Sequence, residues 1–344
     1  MYSIHNIHGN DKYNYHEKIT ADFSSNVWYK PPPIWFYKSL ESVLRKTIDY
    51  PHPEAGELKE LLAVHHKLSA ENICVTNGSV EGIYLLAQLF ADEKSLIITP
   101  SFAEYEKACR RYNHKISFKL YTESLMNLLF AEDVVWMGNP NNPEGKTVSV
   151  KTVEKIITKN SNTIFIIDEA FAELSVDFQS ALPLLEKFAN LVIIRSFTKA
   201  FSIPGIRLGY VLASSEIISE LGKYTIPWSV NSVAVEAGKI ILQNYNRLLP
   251  LISEIEKENS YLLKELTNFS QLKVFPSNGN YFLIRLKSGN AADLKEFLVK
   301  RMGILIRNAS NFRGLNNSYI RLSVQNRKNT DLLISGLKSY FDEL

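Results

Sequence analysis

Short runs of β-branched and other apolar residues recur between helix-like segments at 73–75, 96–99, 116–120, 134–137, 163–167, 191–195 and 208–212. That alternation predicts an α/β fold with a mainly parallel sheet covered by helices on both faces. Two of the intervening helices are expected over 80–90, where Ile83, Leu86, Ala87 and Phe90 fall at helical spacing, and over 105–112. A long amphipathic segment over 232–264 leads into a different pattern. Strand 281–286, helix 292–302, strands 304–306 and 319–324 and a final helix predict a smaller α+β unit. The first forty residues hold Pro31-Pro32-Pro33 and little periodicity, which predicts an extended arm packed against the other elements. The expected division is an arm over 1–40, a large domain over 41–245 and a small domain over 246–344.

Composition then removes several function classes. A chain of 344 residues that is 45% hydrophobic is long and apolar enough to fill two cores. Its 39 Lys and Arg nearly cancel 36 Asp and Glu, so the net +3 gives no reason to expect a nucleic-acid partner, although small anionic ligands stay open. Apolar stretches such as 164–167 are too short to cross a bilayer, and no basic segment followed by an apolar core opens the chain. Cys74 and Cys109 form neither a disulfide framework nor a metal-ligand spacing. The expectation is a cytoplasmic protein with no membrane and no metal.

Four segments carry candidate chemistry, each directly after an expected strand. In Ser196-Phe197-Thr198-Lys199-Ala200-Phe201-Ser202-Ile203-Pro204-Gly205-Ile206-Arg207, hydroxyls, a lysine and an arginine share one loop. A partly desolvated lysine beside other cations loses its proton and attacks an aldehyde, while Ser196, Thr198 and the planar fork of Arg207 suit a phosphate ester. The run 164–167 ends in Asp168-Glu169, where Asp168 either keeps a pyridine nitrogen protonated or caps the next helix. Glu169 reads as structural or solvated. Asn139-Pro140-Asn141-Asn142-Pro143-Glu144-Gly145 is a rigid loop in which Asn142 can donate to a phenolate oxygen, and Thr76-Asn77-Gly78-Ser79-Val80 opens a helix whose free amides form an anion site. Each segment alone is also compatible with an ordinary turn.

Taken in this order, the four resemble the fold-type I pyridoxal-phosphate (PLP) enzymes, the class I/II aminotransferases and their relatives, across essentially the whole chain. The resemblance implies PLP as cofactor, Lys199 as the lysine that condenses with its aldehyde, Asp168 as partner of the pyridine nitrogen, and Asn142 as donor to the 3-oxygen. It implies that Ser196, Thr198, Arg207 and the amides after Gly78, those of Ser79 and Val80, bind the cofactor phosphate. Tyr105 matches the aromatic that stacks on the ring. Tyr50, in Asp49-Tyr50-Pro51, matches a tyrosine that reaches the phosphate of the neighbouring subunit, so a homodimer is implied.

Within that family the chain resembles the branch of histidinol-phosphate aminotransferases and L-threonine-O-3-phosphate decarboxylases, which act on phosphorylated amines. His8-Gly9-Asn10, Ser101-Phe102-Ala103-Glu104-Tyr105, Pro227-Trp228-Ser229-Val230-Asn231 and the segment 306–315 lean toward the decarboxylases. So does Phe171, where aminotransferases usually place a tyrosine. Glu144, where threonine is commoner, and a single glycine after His8 depart from the pattern. By resemblance Arg321 pairs with the substrate carboxylate and Arg307 binds its phosphate, with His8 and Asn26 nearby. The implied reaction is decarboxylation of threonine phosphate, a step toward the aminopropanol linker of cobalamin, with transamination of histidinol phosphate as the alternative. A PLP-binding regulator would need an added DNA-binding domain, for which there is no room before Tyr50.

Overall fold

The computed structural model describes residues 8–121 and 129–344; the first seven positions of the expected arm lie outside them. All seven expected strands form one sheet: β2 (Ile73–Thr76), β3 (Lys94–Thr99), β4 (Lys115–Leu120), β5 (Val134–Gly138), β6 (Ile164–Asp168), β7 (Leu191–Ser196) and β8 (Gly209–Leu212). Their order across the sheet is β2-β8-β7-β6-β5-β3-β4, and only β8 runs against the rest. The strands are apolar at nearly every position because helices cover both faces. Val135, Ile167 and Ile193 point into one buried layer with Leu58 and Leu62, while Trp136, Ile166 and Ile194 point into the other with Ile83 and Leu86. Each such fully buried Leu or Ile contributes roughly 1.5–3 kcal/mol through removal of apolar surface from water.

Helices α3 (Ser79–Leu89) and α4 (Ala103–Arg111) start within a residue or two of the expected positions. A helix begins within the segment 1–40. Pro33 is extended and caps α1 (Ile34–Val43), so residues from Ile34 onward are helical; Phe36 of α1 is buried in the same layer as α2 (Gly56–His66). The amphipathic segment 232–264 is built of three helices. It is α7 (Ser232–Gln243), which follows α5 (Val150–Lys159) and α6 (Ser215–Gly222), then the short α8 (Tyr245–Leu248) and α9 (Ile252–Thr267). Pro250, which has no N–H to donate, sits at the break before α9. Asn231 caps α7 by accepting from the Ala234 N–H.

The smaller unit is an antiparallel sheet, β12 (Arg307–Asn308), β13 (Tyr319–Ser323), β10 (Tyr281–Leu286) and β9 (Leu272–Val274), backed by α10 (Ala291–Met302) and α11 (Arg327–Asp342). The expected strand 304–306 divides here. Its start, β11 (Ile304–Leu305), pairs in parallel with β1 (Ala21–Asp22) of the arm, whereas β12 pairs with β13 so that Arg307 lies opposite Arg321. Phe23 then joins the core of Phe282, Leu298 and Leu322, so the arm is stitched into this unit before it crosses to the large sheet.

Candidate active site

A cavity of about 350 Å³ opens where the carboxyl ends of β5, β6 and β7 meet the smaller sheet. Its floor holds Asp168, Ala170, Phe171, Thr198 and Lys199; Ser79 and Val80 form one end, and Arg307, Asn311, Phe312 and Arg321 the other. His8, Gly9, Asn10, Ser24, Ser25 and Val27 of the arm lie across it. This is the crevice in which open α/β sheets bind ligands.

At the first end, Gly78 turns the chain with φ +79° between β2 and α3 and leaves the amides of Ser79 and Val80 at the helix start. A Cβ on Gly78 would collide with the Arg207 guanidinium, so the glycine is what lets that cation sit against the helix start. Arg207 itself adopts φ +61° and donates from Nη1 to the Pro204 carbonyl at 2.9 Å. Ser196 Oγ and Thr198 Oγ1 lie 2.8 Å apart, and Ser196 also accepts from the Thr198 amide at 3.2 Å. Ser196 and Gly78 stand behind the cavity wall; Thr198 and Arg207 border the cavity.

Lys199 is lowered to about 8, by burial first and then by the guanidinium charges of Arg321 and Arg207, with Asp168 opposing. The amine is therefore poised to act as a nucleophile near neutral pH. Asp168 is shifted the other way: burial raises it, against the Tyr105 hydroxyl, the Ala170 amide and Lys199. Tyr105, expected to stack on the cofactor ring, borders the cavity from the first turn of α4. Its hydroxyl donates to Asp168 Oδ2 at 2.7 Å, and its ring packs 6.0 Å from Trp136 in the layer beneath. The neighbouring Phe102, edge-on to Tyr105, also borders the cavity and is a second aromatic that sequence reasoning passed over. Its signal was its place immediately before α4.

At the opposite end, Arg321 donates from Nη1 to Asn142 Oδ1 and from Nη2 to the Ser24 carbonyl, both at 2.5 Å. With its Oδ1 engaged, Asn142, which lines the cavity, keeps its NH2 as a donor. Arg307 donates to Asn311 Oδ1 at 2.7 Å and to the Asn308 carbonyl, and lies 5.2 Å from the Phe312 ring centre. Burial lowers both arginines, and Arg307 further lowers Arg321. His8 meets Glu104 at 2.9 Å; burial would raise Glu104, but His8, Lys107 and Tyr84 outweigh it and hold the carboxylate at about 2.

Asn26 and Tyr50 do not line the cavity. Asn26, at φ +55°, is fully buried behind Ser25 and Val27, and neither its Oδ1 nor its Nδ2 has a hydrogen-bond partner. The backbone around it matters more: the Ser24 carbonyl holds Arg321, while the Trp28 amide donates to the Lys199 carbonyl at 3.0 Å. Tyr50 is 84% exposed and packs 5.2 Å from the exposed ring of Trp228.

The sequence model described as aminotransferase class I and II matches residues 22–337. The chain belongs to that family. This aminotransferase-family enzyme shares its fold, with a TM-score of 0.90 and 34% identity, with L-threonine-O-3-phosphate decarboxylase from Porphyromonas gingivalis, over 93% of this chain and 99% of that one. It is 34% identical to a histidinol-phosphate aminotransferase of Caldanaerobacter subterraneus subsp. tengcongensis, over 84% of this chain and 83% of the relative. At 21% identity and a TM-score of 0.81, it also shares its fold with the Sinorhizobium meliloti histidinol-phosphate aminotransferase, solved in complex with pyridoxal-5'-phosphate.

The family is PLP-dependent, and so is this enzyme. The cavity suits that group: a lysine amine depressed to about 8, a buried carboxylate and a glycine-opened helix start beside an arginine meet around one space.

Proposed function

We propose that the enzyme decarboxylates L-threonine O-3-phosphate to aminopropanol phosphate, the reaction that supplies the aminopropanol linker of cobalamin. Cavity charge carries this reading. Four cations border the cavity, Lys199, Arg207, Arg307 and Arg321, against two carboxylates, Asp168 and Glu104. Glu104 is already satisfied by His8, Lys107 and Tyr84. With Arg207 assigned to the cofactor phosphate, two buried arginines remain for two substrate anions, a carboxylate at Arg321 and a phosphate at Arg307. Histidinol phosphate carries one anionic group, so it would leave one of them unmatched. A dicarboxylic keto acid would use both, which keeps transamination as the second reading.

In this assignment Lys199 condenses with the cofactor aldehyde; Asp168, held by Tyr105, partners the pyridine nitrogen; Asn142 donates to the 3-oxygen; Ser79, Val80, Ser196, Thr198 and Arg207 hold the phosphate. The cofactor supplies an electron sink for the bond broken at the substrate α-carbon. Arg321 and Arg307 would hold the substrate at both ends and so orient the bonds of its α-carbon. Lys199, freed when the substrate amine takes its place, would be positioned to give the α-carbon a proton in place of the CO2 that leaves.

Phe171 supports a lyase rather than an aminotransferase. It has no hydroxyl to offer the 3-oxygen, and the nearby Tyr281 hydroxyl is spent on the Asn141 carbonyl at 2.9 Å. A homodimer is part of the proposal, supported by exposed Tyr50, Trp228, Ile48 and Ile226. A cytoplasmic location is proposed with it; among the described residues no helix is long and apolar enough to cross a membrane.

The test is to incubate PLP-loaded protein with L-threonine phosphate and no keto acid, following CO2 and aminopropanol phosphate. No product, together with turnover of histidinol phosphate once 2-oxoglutarate is added, makes the enzyme an aminotransferase.

A further inference from the structure

The first turn of α4 reaches the arm, the large sheet and the smaller unit through three consecutive side chains. Glu104 meets His8 of the arm, Tyr105 holds Asp168 of the large sheet, and Glu106 is gripped by Arg313 of the smaller unit. The last contact is the most directional. Arg313 donates from Nε at 2.8 Å and from Nη2 at 2.6 Å to the two oxygens of Glu106, and its guanidinium lies 4.0 Å from the ring centre of Phe118 on edge strand β4. Arg110, one turn along α4, holds the same carboxylate from its own helix at 2.9 Å.

Arg313 lies in the loop between β12 and β13. That loop wraps Arg307: the Asn308 carbonyl and Asn311 Oδ1 accept from its guanidinium, and Phe312 packs against it. One residue beyond Phe312, the loop is fastened to the large sheet's helix. Neither Arg313 nor Glu106 borders the cavity. We propose that Arg313 and Glu106 form a positioning pair that holds the Arg307 wall against α4, setting affinity for the phosphorylated end of the substrate and not the rate of the chemical step. This rests on the reading that Arg307 takes the substrate phosphate. A bidentate fork fixes direction as well as distance, so a lysine at 313 would keep the charge and lose the alignment.

The experiment measures KM and kcat on the PLP-loaded enzyme with L-threonine phosphate, or with histidinol phosphate and 2-oxoglutarate if that pair reacts. The variants are Arg313→Gln, Arg313→Lys, Glu106→Gln and the Arg313→Gln/Glu106→Gln double, with Arg110→Gln as control and Arg307→Ala as reference. Arg313→Gln and Glu106→Gln should each raise KM about fivefold, with kcat and the cofactor absorption essentially unchanged. The double should fall well short of the product of the two singles, because both break the same bidentate contact. Arg313→Lys should recover only part of the loss, and Arg110→Gln should be silent. Salt should raise KM in the parent more than in the variants.

Unchanged KM, multiplying effects in the double, or losses mainly in kcat would overturn the pair's role. If Arg307→Ala is severe while the Arg313 and Glu106 variants are silent, the pair alone fails. If Arg307→Ala is itself indifferent to phosphate, the reading of Arg307 fails and the pair's role falls with it.

Discussion

Tyr105→Phe separates two accounts of the same aromatic. The substitution keeps the ring and deletes only the hydroxyl that donates to Asp168 Oδ2 at 2.7 Å. Both residues are buried, and the carboxylate's other protein donor is the Ala170 amide, on Oδ1 at 2.9 Å. Burial alone raises Asp168 toward the protonated form, and Tyr105 is the first of the groups opposing it. Tyr105 itself is pushed well above its ordinary range, so it donates at any assay pH. Losing one donor from a buried carboxylate costs roughly 1.5–3 kcal/mol. If Asp168 must be ionised to bind the pyridine nitrogen, PLP affinity should fall by about one to two orders of magnitude. Titration of apoprotein with PLP, read by visible absorption, measures this. Phe102→Leu, which alters the cavity wall without touching Asp168, should cost less. An unchanged dissociation constant in Tyr105→Phe would sink the hydrogen-bond account and return Tyr105 to a stacking role.

Lys199→Ala should abolish the visible absorption of lysine-bound cofactor and lower turnover by at least ~10³-fold, since nucleophile and proton donor vanish together; an unchanged spectrum refutes the assignment. The neutral amine is the reactive form and Lys199 is lowered to about 8, so PLP uptake should accelerate as pH rises through about 8 and then level off. Arg321→Gln removes a charge that disfavours the ammonium, so it should move that midpoint upward; a midpoint that stays put argues that Arg321 does not act on the amine. Gly78→Ala forces a side chain onto φ +79° and into Arg207, and should weaken PLP binding about tenfold or more in the same titration.

The large sheet was legible because its strands are covered on both faces, which leaves uninterrupted apolar runs that local sequence reveals. The same runs brought Asp168, Asn142 and Lys199 to strand ends, so the candidate site came with the fold. What stayed hidden depends on direction and distance. Tyr105 and Phe102 sit three residues apart around the start of α4 and both border the cavity, but only the packing of that helix brings the Tyr105 hydroxyl to Asp168. Asn26 was named by resemblance; its left-handed backbone and full burial are features that only the fold reveals. The pairing of Arg313 with Glu106 spans 207 positions in sequence, and no local pattern announces it.

The pleat explains how one acidic pair serves two ends. Successive residues of a strand point to opposite faces. On β6, Ile166 and Asp168 share a face with Ile194 and Ser196 of β7, the layer of Trp136 and Tyr105. The alternate positions put Ile167 and Glu169 on the other face with Ile193 and Arg195. Glu169, fully buried, lies 3.1 Å from Arg195 and accepts from Ser180 at 2.6 Å and the Ala181 amide at 2.8 Å. Arg195 is also held by Glu173 at 2.7 Å. Behind each cavity-side residue, therefore, stands a neighbour anchored in an ion-paired network on the far side. A register slip of one residue between β6 and β7 would bury Asp168 among hydrocarbon and thrust Glu169 into the cavity, breaking both arrangements at once. Burial of Asp168 on one face and of the ion pair on the other thus selects the same strand pairing, and that pairing fixes the distance between the carboxylate and the loop that carries Lys199.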